Sequence, residues 1–142
     1  MSGDHDRENQ AQRERLQTVV ARLSEADMAR DLGDGWTVAD ALAHLAFYDR
    51  RAAVLLERFA GEGVFASPYD YETINQALLP LTRRMPPAAV AAEVVAAAEA
   101  ADRAAAATPE ALHAEIARRH EVKLSRAEHR RSHLDQIEAV LA

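Results

Sequence analysis

His129 and His133 stand four residues apart in the last apolar-periodic segment of the sequence. That spacing places two imidazoles one turn apart on the same face of a helix, where they can share one metal ion. At about 100° per residue, His133 falls within the arc of Ile137 and Val140 and His129 lies at its edge, so both point toward a helical interior or its rim. His44 sits beside Leu45 and near Ala41, Tyr48 and Leu55, at the border of an earlier apolar arc. Three imidazoles from two facing helices would bind a divalent ion and leave a coordination position open for water or substrate. Zn²⁺, Ni²⁺, Mn²⁺ and Fe²⁺ are not distinguished by such a donor set. A His-x-x-x-His pair also arises by chance in helices, and for His44 the plainer reading is a partly buried histidine hydrogen-bonded to a neighbour.

The remaining polar candidates are fewer. No cysteine is present, which excludes a disulfide framework, a thiolate metal site and a cysteine nucleophile. Tyr48, one turn beyond His44, and Asn75 are candidates for orienting a substrate or supporting a ligand, although Tyr48 also serves simply as a packing residue. Arg50, Arg51, Arg130 and Arg131 have the fork geometry that recognises a carboxylate, but solvated helix faces explain them more simply. Asp40 and Asp49 are possible acceptors for a ring N–H of a ligand histidine, and helix capping already accounts for Asp40.

The elements that must carry these residues read as helices. With 32 alanines against five glycines and five prolines, intrinsic preference favours helix along most of the chain. Leu16, Val19, Val20 and Leu23 mark a first helix from about Arg7 to Ser24. Gly33-Asp34-Gly35 breaks the pattern, and Thr37 with Asp40 forms a capping box that opens a second helix running to about Ala60, with Gly61 and Gly63 as its stop. Ser67, Pro68 and Asp70 start a shorter helix through Ile74, Leu78 and Leu81, in which Pro80 predicts a kink or an early end. Pro86-Pro87 precedes an alanine-rich third main helix over Ala88 to Ala107, whose small side chains permit close approach. Thr108-Pro109 reads as the N-cap and first position of a connector helix over Glu110 to Arg119, and Ser125 with Glu128 as a capping box for the last helix. The expected fold is therefore all-α: a single domain over residues 1–142, built as a bundle of four main helices with one or two short extra ones.

Charge and hydropathy narrow the partners. The net charge of −6 and the lack of any basic run longer than an Arg-Arg pair argue against nucleic acid. The polar stretch from Met1 to Gln10 lacks the apolar core of a secretory signal, and the alanine tract is interrupted by Glu93, Glu99, Asp102 and Arg103, so neither export nor a membrane span is expected. A cytoplasmic protein is the expectation.

The run Trp36-Thr37-Val38-Ala39-Asp40-Ala41-Leu42-Ala43-His44-Leu45-Ala46 resembles the second-helix signature of the DinB-like family. The last helix agrees: that family shows a His-x-x-x-His pair with a Gly-Gln-Ile or similar ending, and this chain has His129-Arg-Arg-Ser-His133-Leu-Asp-Gln136-Ile137, with aspartate where glycine is common. Between these two segments the match is one of order, length and helical character. The resemblance implies a four-helix bundle with an up-down-down-up path and a long crossover, often dimeric, with a divalent metal held at the positions of His44, His129 and His133.

Members of the family with assigned roles include thiol-dependent transferases and isomerases using low-molecular-weight thiols, and some hydrolase-like proteins. The resemblance thus implies a metal-dependent transferase or hydrolase acting on a small molecule, with a low-molecular-weight thiol as possible co-substrate. The fold itself does not choose among these. The rival expectation is a non-catalytic bundle that acts by small-molecule binding or dimerisation, its histidines structural or vestigial.

Overall fold

The computed structural model describes residues 2–142, and among them the only regular elements are helical. Helix α1 spans Ser2–Arg22, α2 Glu25–Met28, α3 Val38–Glu62, α4 Tyr71–Thr82, α5 Pro87–Ala107, α6 His113–Arg119 and α7 Ala127–Leu141, with a 3₁₀ turn at Glu110–Leu112 before α6. α1 begins five residues earlier than the apolar periodicity predicts, because its first turns hold together through polar contacts such as Asp4 with Arg7. The four-residue α2 has no counterpart in the sequence reading; Ser24 and Asp27 cap it reciprocally.

The start of α3 follows the sequence closely. Asp40 donates its backbone N–H to Thr37 Oγ1 at 3.1 Å, and Thr37 N–H reaches Asp40 Oδ2 at 3.0 Å. The glycine stop comes two residues later than expected: the helix passes through Gly61 to Glu62, and Gly63 at φ +87° turns the chain where a Cβ would be strained. For α4, Asp70 is the N-cap, so Ser67 and Pro68 lie outside the helix, and the chain stays helical for two residues past Pro80.

Two sequence expectations are corrected near the C-terminal half. Thr108 does not cap the connector; its hydroxyl donates back to Ala104 O at 2.8 Å and the segment opens as a 3₁₀ turn behind Pro109. Ser125 and Glu128 do not form a capping box. Arg126 occupies the N-cap position of α7, because its side chain is drawn inward to Asp49, while Ser125 donates to Glu8. The Arg126 N–H is instead accepted by Asn9 Oδ1 at 2.6 Å, so α1 satisfies the start of α7 from across the fold.

α3 packs most extensively on α5, α1 packs on both α5 and α7, and α3 also meets α7. Ala97, Ala98 and Ala101 on α5 are fully buried, and their small side chains let the backbones of α3 and α5 approach. Leu16, Val19, Leu42, Leu45, Val94, Leu134 and Ile137 form one apolar cluster, and Leu55, Leu56, Phe59, Ala105 and Ile116 a second. α4 contributes no buried residue and lies over α3.

Candidate metal centre

His44 reaches the centre from the second turn of α3, a position fixed by the Thr37–Asp40 box, while His129 and His133 come from the first two turns of α7. The structure brings the three rings together. Their centroids are pairwise 4.9 Å apart, and one ring nitrogen from each lies within 4.8 Å of the others. Nε2 of His44 and Nε2 of His129 face each other at 3.0 Å. An ion held tetrahedrally at 2.0–2.1 Å spreads its nitrogen ligands to about 3.4 Å, so this pair already approaches the separation a shared ion requires.

Burial keeps these imidazoles neutral, the form that ligates metal. It pushes His44 down to about 4, with His133 adding to the depression and Asn75 opposing it. His129 is pushed down to about 3, by burial first and then by His133, His44, Arg126 and Arg130. His133 is also lowered by burial, against the pull of Gln136 and Asp34. Three uncharged nitrogens packed this closely, with no carboxylate among them, form a donor set suited to a divalent cation.

The surroundings orient two of the rings. His133 Nδ1 donates to Gln136 Oε1 at 3.1 Å, which leaves Nε2 as the nitrogen with a free lone pair. Trp36 packs edge-on against His44 with centroids 5.0 Å apart, and Tyr48 and Tyr71 flank the same ring at 4.9 and 6.2 Å. His44 Nδ1 is buried and has no hydrogen-bond partner, an unsatisfied polar atom that costs free energy. Asn75 lies near enough to favour the protonated ring, but its Oδ1 accepts the Tyr48 hydroxyl at 3.0 Å and no bond to Nδ1 closes.

A cavity of about 430 Å³ opens on His129. Tyr48, Tyr69, Tyr71 and the segment from His120 to Lys123, with Ser125 and Arg126, line it. Burial pushes the Tyr48 hydroxyl up to about 12, with Tyr69 and Tyr71 adding to the rise, so it remains a neutral donor.

The sequence candidates are thereby sorted. Asp40 and Asp49 do not touch the histidines: Asp40 caps α3 and pairs with Arg83, and Asp49 pairs with Arg126 and Arg130. Arg50 lies on a solvated face paired with Glu93, whereas Arg51 lines the cavity, donating to Ser67 O at 2.9 Å and stacking over Tyr69 at 4.2 Å. Arg131 is exposed, but Arg130 is fully buried, which corrects its reading as part of a solvated face. Sequence reasoning assigned no role to Gln136, although its place one turn after His133 signals one; Tyr69, Tyr71 and the 120–125 segment carry no local pattern that points to the site.

The model of the mycothiol maleylpyruvate isomerase N-terminal domain matches residues 10–136, nearly the whole chain. The chain belongs to this family. The family is DinB-like, in agreement with the signatures around His44 and His129, and the all-helical fold is consistent with it. Neither a curated protein nor a solved structure matches the chain. Among the described residues, no helix is long and apolar enough to cross a membrane.

Proposed function

We propose that the chain is a metal-dependent enzyme acting on a small molecule, in which His44, His129 and His133 hold one divalent ion and a low-molecular-weight thiol serves as co-substrate. The observation that carries this reading is the convergence of three neutral imidazoles, from two helices remote in sequence, one of which, His129, lines a cavity. Membership in a family described by a mycothiol-dependent isomerase supports the thiol. The same proposal takes α1, α3, α5 and α7 as a four-helix bundle on an up-down-down-up path with a long crossover, assembled as a homodimer.

A bound divalent ion would supply Lewis acidity, lowering the pKa of a thiol or water so that a nucleophile exists near neutral pH. The chain's own residues then divide the work. Gln136 fixes the tautomer of His133. Tyr48 carries a hydroxyl that stays protonated across the working range, and it can donate to a substrate oxygen by exchanging its bond to Asn75 Oδ1 for one to the substrate. Tyr69 and Tyr71 form the outer aromatic wall of the cavity, and Arg51 stiffens that wall by stacking on Tyr69.

Transfer to a thiol and metal-assisted hydrolysis differ in whether thiol is consumed. Metal-loaded protein is incubated with electrophilic small molecules and individual low-molecular-weight thiols while free thiol is followed. The proposal expects turnover that needs both metal and thiol and that falls by about 10²-fold or more in Tyr48→Phe. Turnover that persists without thiol would replace transfer by hydrolysis. Ligand-induced stabilisation without metal and without turnover would favour a binding protein instead.

A further inference from the structure

Charge interrupts the apolar core at one level. α3 contributes to one cluster up to Ala46 and to the other from Ala52, and α5 likewise up to Ala98 and from Ala104. Between them are buried Asn9, Asp49, Asp102, Arg126 and Arg130. Arg130 has no exposed surface. It donates to Asn9 O on α1 at 3.1 Å, to Asp49 Oδ2 on α3 at 3.1 and 3.2 Å, and on α5 to Ala98 O at 3.3 Å and to the two oxygens of Asp102 at 2.7 and 3.1 Å. One guanidinium on α7 therefore bonds to each of the other three long helices. Arg126 is a second arginine on Asp49, at 2.9 Å, and Arg13 a second on Asp102.

A buried ion pair is a poor source of net stability, since desolvation of both charges offsets most of their attraction, and apolar replacements of similar volume are often neutral or stabilising. What a directional, multi-point contact does supply is register. Apolar side chains tolerate small axial slips between helices; a guanidinium fork between two carboxylates does not. Its location makes register matter here. Arg130 directly follows His129, and Asp49 lies five residues beyond His44, so the ionic contact between α3 and α7 adjoins the point where the two Nε2 atoms meet.

We propose that Asp49, Arg130 and Asp102 are positioning residues for the three-histidine centre: they lock α7 against α3 and α5 in the register that brings His129 and His133 to His44. The inference rests on the reading of these histidines as metal ligands, and its test separates the two. The probe is Co²⁺ alone, whose affinity and visible d–d absorption report ligand geometry independently of any activity.

Asp49→Leu, Asp102→Leu and Arg130→Met together replace the charges by apolar groups. Arg126 lines the cavity and the Arg13 side chain is 24% exposed, so water reaches both once their carboxylates are replaced. The triple variant is expected to keep its helical content and to melt no more than about 5 °C below the wild type, while its Co²⁺ affinity falls by about tenfold or more and its absorption changes shape. Wild-type affinity and spectrum in the folded triple variant would overturn the proposal. Arg130→Lys keeps the charge but not the fork, and it decides the matter if the triple variant does not fold. Weaker Co²⁺ binding with helical content intact supports positioning, and unchanged binding overturns it. A wild-type protein that binds no Co²⁺ removes the metal reading itself, and with it the role; binding that is indifferent to the variants removes the positioning role alone.

Discussion

Gln136 is exposed and carries no packing role, yet its amide oxygen decides which nitrogen of His133 faces the other two histidines. Gln136→Leu is therefore expected to leave helical content unchanged and to weaken metal binding by about tenfold, read by competition with a chelator; affinity equal to wild type would assign the ring's orientation to packing alone. The depressed histidines make a second prediction, for metal-free protein. Below the ordinary histidine value of 6.5, the unfolded chain takes up protons that His44, held near 4, and His129, held near 3, refuse in the folded state. Stability contributed by their neutral forms is complete above about 6.5 and is lost as pH falls from there toward 4 and below. Urea midpoints measured at pH 7 and pH 5 should show the loss, and a midpoint unchanged or higher at pH 5 would contradict the burial of these rings. Helical spacing made the His129–His133 pair legible in the sequence. Their meeting with His44 was raised by its place at the border of an apolar arc and implied by the resemblance, and the help from Gln136 was not anticipated, because a glutamine has many possible partners until its neighbours are fixed.

Helix starts show where local patterns succeed and where they fail. Thr37 and Asp40 are local in sequence and local in space, so the box they spell is the box that forms. Ser125 and Glu128 spell the same pattern, but the burial of Arg126 beside Asp49 pulls the chain away from that geometry and Asn9, more than a hundred residues earlier, takes over. No reading of residues 125–128 could find it. The consequence is a contrast between two substitutions. Ser125→Ala is expected to change stability by less than about 0.5 kcal/mol. Asn9 also donates its amide to Leu124 O at 2.9 Å, so Asn9→Ala, which leaves both the Arg126 N–H and the Leu124 carbonyl unpaired, is expected to cost about 2 kcal/mol. Equal costs in chemical denaturation would return the capping role to Ser125. The same tertiary override explains why Thr108 turns back to Ala104 instead of capping forward.

The all-helical character was readable from alanine content, glycine and proline punctuation and apolar periodicity, since each long helix buries apolar residues at helical spacing. The charged layer was not readable: an arginine at position 130, among other arginines and at the start of a helix, carries the same local signature whether it faces water or pairs with buried carboxylates on two other helices. Family membership accounts for the paired signatures on α3 and α7, and the cavity on His129 gives them a place to act. The central claim is that this architecture exists to hold one metal ion among three histidines. Its most direct test is elemental analysis of protein purified without a histidine tag, repeated on His44→Ala, His129→Ala and His133→Ala. The expected result is about one equivalent of divalent metal in the wild type, lost in each variant while helical content persists. No bound metal after reconstitution with Zn²⁺, Ni²⁺, Mn²⁺ and Fe²⁺ would contradict the claim and leave the three imidazoles as a packed, neutral part of the core.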